Sequence, residues 1–197
     1  MAASWFTLHS ISTFSHFHIF TLAALLLTAC IDDDDNPFAR RPAFFRFTPV
    51  TAAPKTLMPA LGNPGEWCTV TRTPTHYQFR SYTGMTDSYP LTQLDQYGSA
   101  TWVGGLIVGT PNAPELGASN FAPVVYDLAC PNCFESGGIT RSLTITQPIP
   151  ARALCGRCHT LYDLENGGIV LDGTSGNIRR LYRYRCMYNN DSFVVQN

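Results

Sequence analysis

The sequence predicts an all-β domain, a small sandwich or barrel, on three observations. Short apolar or alternating runs recur from Trp67 to the end of the chain. The 15 Gly and 14 Pro, with 12 Phe and 9 Tyr, suit short strands and turns. No segment carries a sustained 3.6-residue apolar stripe, the signature of an amphipathic helix. Only 14% of the 197 residues are charged against about 25% in an ordinary soluble domain, and 45% are hydrophobic, which excludes a disordered chain. The net charge of -1 gives no electrostatic footprint for nucleic acid.

Residues 17–29 form an apolar run with no charged side chain. It is short for a membrane span and long enough for the core of a signal peptide, so residues 1–29 are assigned as one. The run ends in Leu27-Thr28-Ala29-Cys30, which resembles the lipobox of bacterial lipoproteins and implies lipidation of Cys30. The positive segment usual before such a run is missing, since the first basic residue is Arg40. The acidic Asp32–Asp35 just beyond Cys30 is similar to the surface-export signal of Bacteroidetes lipoproteins. Setting those four acids aside leaves 13 bases against 10 acids, a mildly positive body. Residues 30–65 are expected to be a tether, because Pro37, Pro42, Pro49, Pro54, Pro59 and Pro64 favour extended chain over helix. Phe38, Phe44, Phe45 and Phe47 argue that part of it packs on the domain.

The domain proper is placed at 66–197. Trp67–Thr71 is β-branched and aromatic, and Tyr77 and Phe79 alternate with polar neighbours in the period of a half-buried strand. Leu91–Gly98 allows a turn or two of helix. Thr101–Val108 is apolar throughout, and its Gly104-Gly105 pair marks a bulge or a close backbone approach. Val124–Leu128, Leu143–Thr146 and Gly168–Leu171 are further short strands. Arg180–Tyr188 and Ser192–Gln196 flank Asn189-Asn190-Asp191, a hairpin turn. The arginines interleaved with Tyr182, Tyr184 and Tyr188 follow strand alternation, with Leu181, Arg183 and Arg185 on one face and Tyr182, Tyr184 and Cys186 on the packed one.

Seven cysteines carry the chemistry. Cys130-Pro131-Asn132-Cys133 and Cys155-Gly156-Arg157-Cys158 are two CxxC pairs with 21 residues between them. Each pair, on a zinc-ribbon-like knuckle, aims two thiolates at one centre, and two pairs complete a tetrahedron around zinc or a single iron. The same four cysteines can hold the corners of an iron–sulfur cluster, or close as disulfides in an exported protein. Cys155–His159 also satisfies the c-type haem attachment pattern. Five His, three of them before Cys30, and no paired carboxylates leave little for acid–base catalysis, so no enzyme is expected.

The stretch from Cys155 through Cys158, Tyr162-Asp163 and Gly167-Gly168 resembles the second half-site of Rieske domains. Cys155 matches the family's cysteine, and Cys158 stands where its ligand histidine would be. In the first half-site Cys130 matches the cysteine and Asn132 stands in place of the histidine, with Cys133 adjacent. The resemblance spans roughly residues 66–197 and implies a Rieske-like β domain whose histidine ligands are replaced by cysteine. It also implies that the first and last strands share a sheet, so Cys68 and Cys186 are a possible disulfide, which would stabilise by about 3–5 kcal/mol. The expected protein is a lipid-anchored lipoprotein of the cell envelope, in the outer membrane. Its four-cysteine metal site, structural zinc, serves a binding or assembly module that meets the membrane through its anchor and an envelope protein as partner. The alternative is an electron carrier holding a [2Fe–2S] cluster, or a c-type haem, at the same cysteines.

Overall fold

In the computed structural model, residues 36–98, 100–146, 150–173 and 179–197 are described. The signal peptide assigned to 1–29, Cys30 and Asp32–Asp35 lie outside them. The fold is all-β, as expected. An eight-stranded antiparallel sheet has the order β1-β12-β11-β6-β5-β2-β3-β4. Its strands are β1 (Phe44–Phe47), β2 (Trp67–Arg72), β3 (His76–Ser81), β4 (Thr86–Pro90), β5 (Leu106–Gly109), β6 (Val124–Asp127), β11 (Arg183–Tyr188) and β12 (Phe193–Gln196). A second sheet, ordered β10-β9-β8-β7, contains β7 (Leu143–Thr146), β8 (Arg152–Cys155), β9 (Leu161–Asp163) and β10 (Ile169–Asp172). Three short α-helices, α1 (Leu57–Gly62), α2 (Gln93–Tyr97) and α3 (Pro131–Gly137), and a 3-10 turn at Val50–Ala52 complete the described elements. None of them is long and apolar enough to cross a membrane.

β6 and β11 are neighbours in the large sheet, yet α3 and the whole small sheet lie between them in sequence. The small sheet is thus an insertion, and it covers one face of the large sheet's centre. Cys68, Val70, Leu106, Val108 and Val125 point into a core inside the curled large sheet, where β1 also bridges to Thr101. Their alternate neighbours Trp67, Ile107, Val124 and Tyr126 point into a second core shared with the small sheet. Burial on both faces explains why Leu106–Gly109 and the first three residues of β6, Val124, Val125 and Tyr126, are apolar without alternation. At Gly105, with φ of +127°, a Cβ would sit 2.8 Å from the Val70 carbonyl, which is the close approach the glycine pair foretold.

The hairpin between β11 and β12 forms at the expected turn, with Asn190 at φ 72° and Asn189 Oδ1 accepting from the Ser192 N–H. The helix expected within Leu91–Gly98 is α2, opened by a capping box between Thr92 and Asp95. Leu181, expected beside the exposed arginines, is buried instead. It precedes β11, where its N–H bonds Gly168 O, and its side chain enters the second core.

Two expectations are corrected. First, the compact unit starts at Pro37, not at residue 66, and its opening stretch is no tether. β1 pairs with β12, and Phe45 and Phe47 are buried because their two-residue spacing gives a strand one apolar face. Phe45 packs on Tyr77, Trp102 and Phe193. The prolines do not prevent helix either: Pro59 sits in the first turn of α1, where backbone N–H groups have no intrahelical partner to lose. Second, Cys68 and Cys186 share a sheet but are both free. β5 and β6 lie between β2 and β11. Three strand spacings amount to about 14 Å along the sheet, beyond the ~7 Å Cα reach of a disulfide. Burial pushes both thiols up, Cys186 to about 11.

Because Phe45 is wholly buried among aromatic rings, Phe45→Ala is expected to cost about 3–5 kcal/mol in chemical denaturation. A tether lying on the surface would show almost no change.

Candidate metal centre

The two CxxC pairs are built differently. The first opens a helix: Cys130 is the N-cap of α3 with extended backbone, Pro131 takes the first helical position, and Cys133 faces inward one turn on. The second closes a hairpin. Cys155 ends β8, residues 156–160 turn, and β9 returns, with Cys155 N–H bonding Thr160 O and His159 N–H bonding Cys155 O. His159 adopts φ of 57° and is exposed, so it serves the turn. A knuckle was expected at both pairs, and only the second is one.

Cys130, Cys133, Cys155 and Cys158 converge as the sequence required, with all four Sγ atoms within 4.8 Å of one another. Cys130 and Cys158 are 3.5 Å apart, and Cys133 and Cys155 3.7 Å. A tetrahedron of sulfurs about 2.3 Å from its centre has edges of about 3.8 Å, so the donors fit one tetrahedral ion. All four are free thiols, which removes the disulfide alternative for this state. Cys130 and Cys155 are fully buried, Cys133 nearly so, and Cys158 is the open corner.

Two hydroxyls and an amide dress the sulfurs. Tyr162 Oη lies 3.3 Å from Cys130 Sγ, inside the second core. Thr160 Oγ1 accepts from Asn132 Nδ2, which leaves its own hydrogen for Cys158 Sγ at 3.2 Å. Asn132 Oδ1 in turn accepts from the Arg179 N–H. Asn132, which aligned with a ligand histidine, is therefore a brace between the pairs and the chain leading to β11. Burial drives the Cys130 thiol up to about 11 and raises Cys133 as well. Burial also opposes ionisation of Cys158, but the Thr160 hydroxyl and backbone and the Cys130 and Cys155 thiols outweigh it, bringing Cys158 down to about 7.

No sequence signal marks the residue that seats the first pair. Asp127, wholly buried at the end of β6, accepts four hydrogen bonds: from the Val103, Gly104 and Ala129 N–H groups and from Tyr184 Oη, at 2.7–2.9 Å. It joins the approach to β5, β6 itself and β11 three residues before Cys130. Burial raises its pKa, and those four donors pull it back. On the outer side of α3, Glu135 binds Arg41 and Tyr182, and Arg41 lies over the Phe134 ring. The Tyr182 hydrogen bond and Arg41 together hold the Glu135 carboxyl below its usual range.

No family model, curated protein or solved structure matches the chain. The resemblance to Rieske domains therefore rests on the motif residues alone.

Asp127→Ala would leave a buried hydroxyl, one buried N–H and two half-buried N–H groups without their acceptor. It is expected to cost at least about 3 kcal/mol in denaturant titrations, with the milder Asp127→Asn in between.

Proposed function

We propose that the protein is a lipid-anchored envelope lipoprotein whose domain is held in shape by one structural zinc ion on Cys130, Cys133, Cys155 and Cys158, and that it acts as a binding or assembly module. The observation that carries the metal reading is the 4.8 Å limit on all sulfur separations. Four thiolates so close suit one ion. A two-iron cluster separates its cysteine pairs by the bridging sulfides, and a c-type haem needs Cys155 and Cys158 displayed to a macrocycle, whereas Cys155 is buried against the other three thiols. Three buried donors with no fourth position left for water describe a closed site, the structural kind, which supplies folding energy and no catalysis. The hydroxyls of Tyr162 and Thr160 donate to thiolate sulfur and spread its negative charge, which suits a permanently ionised set. The lipidated Cys30, the envelope location and an envelope protein as partner rest on the sequence motif at Leu27–Cys30.

Elemental analysis of protein taken from its native envelope tests the metal. One equivalent of zinc and no visible absorbance are expected, and iron with colour would replace this reading by an electron carrier. Cys133→Ser should abolish stoichiometric loading and lower the melting temperature by several degrees or more, as should chelation. Zinc affinity should also fall on acidification. Cys130 and Cys133 keep their protons at pH 7 in the metal-free site, so loading displaces at least those two and affinity drops about a hundredfold or more per pH unit, steepening below 7 as Cys158 protonates. Competition titrations with a chromophoric chelator between pH 6 and 8 measure that slope. A Cys30→Ser chain found soluble in the periplasm, against a membrane-bound parent, would support the anchor, and unchanged membrane attachment would overturn it.

A further inference from the structure

Charged side chains lie at both ends of the small sheet, Arg152 opposite Asp163 at one and Asp172 toward the other. The register Leu143↔Cys155 and Arg152↔Asp163 puts Cys155 at one end of β8 and Asp163 level with the other. At the Asp163 end the acids are occupied by neutral donors. Asp163 accepts from the Glu165 N–H and from Asn166, and Glu165 accepts from Asn112 and the Ala151 N–H. At the thiol end, Arg141 and Arg157 are exposed, and among the described residues neither guanidinium has a hydrogen-bond or ion-pair partner. Between them opens a hollow of about 580 Å³, lined by Arg141, Ser142, Cys155, Gly156 and Arg157. At Gly156 the surface is open, since a Cβ there would meet nothing within 4 Å.

We propose that this hollow binds a phosphate group, with Arg141 and Arg157 as its two anchors and the Ser142 hydroxyl as a further donor. A guanidinium presents a planar fork that matches phosphate oxygens in pairs, and two forks across an open hollow can hold one such group from both sides. The phosphate group is borne either by a solute free in solution or by a lipid headgroup. Cys155 lies on the hollow's floor, so the site adjoins the metal centre without supplying any of its ligands except through that residue.

The competing account is that the two arginines only offset the net negative charge of four thiolates around a dication. One experiment separates the two. The full-length, zinc-loaded chain is titrated with inorganic phosphate at constant chloride, and separately with phosphatidylglycerol vesicles, following binding by calorimetry or by amide shifts at Ser142 and Gly156. Saturable phosphate binding that Arg141→Gln/Arg157→Gln weakens about tenfold or more, and that Arg46→Gln on the exposed face of β1 leaves alone, is the expected result. The same arginine dependence seen only with vesicles would assign the ligand to a headgroup. Absence of binding in both arms, equal losses in all variants, or a double variant that merely loses zinc affinity would overturn the proposal. Zinc content measured on the same samples reports on the metal reading independently, and an unchanged melting temperature shows that the variants are folded.

Discussion

A carboxylate with no exposed surface, Asp127, stands where β6 ends and the insertion that carries the four cysteines begins. Ionised and buried, it would be costly without partners, and its environment provides four. Because those donors come from the approach to β5, from the chain just beyond β6 and from β11, the carboxylate fixes three segments against one another. Only with that junction set does Cys130 arrive at the start of α3 in extended backbone, with Cys133 turned toward the hairpin that carries the other pair. The Cys130 N–H then bonds Arg141 O, so the helix is strapped on both sides before its first turn.

Around this junction the fold divides its labour. The curled eight-stranded sheet builds its own core from the inward side chains of β1, β2, β3, β5, β6 and β12. Its other face, through Trp67, Ile107 and Tyr126, supports the small sheet, and the thiols lie within that second core. The metal pairs are thus set in packed apolar surroundings, with Tyr162 and Leu164 behind them, instead of on free loops. That placement explains why burial raises the Cys130 and Cys133 thiols, and why a dication, which stabilises thiolate outright, would offset that penalty.

The two CxxC pairs are not equivalent partners. The helix-borne pair is buried and braced by Glu135, Arg41 and Tyr182, which also fasten the opening stretch of the domain to α3. The hairpin-borne pair leaves Cys158 partly open and Cys155 under a positively rimmed hollow. One side of the centre is therefore structural in its surroundings, and the other faces solvent with unpartnered arginines.

Local patterning was enough to establish the strand-rich class, the β11–β12 hairpin, the capped helix at Thr92 and the convergence of Cys130, Cys133, Cys155 and Cys158. Each depends on spacing or turn chemistry within a few residues, or on two CxxC motifs whose thiols suit a shared site. Long-range order was not legible. Phe45 reads as a residue that packs on the domain, but its strand shows only when β12, some 150 positions later, pairs with β1. Cys68 and Cys186 read as possible mates until strand order places β5 and β6 between them. Asp127 reads as a strand's polar terminus until two distant segments, at Val103-Gly104 and Tyr184, supply three of its four donors. Sequence alone determined which residues gather at the centre, because thiols at CxxC spacing carry their geometry locally. Tertiary structure decided what surrounds it, because sheet order, a shared second core and a buried carboxylate depend on contacts between residues far apart in the chain.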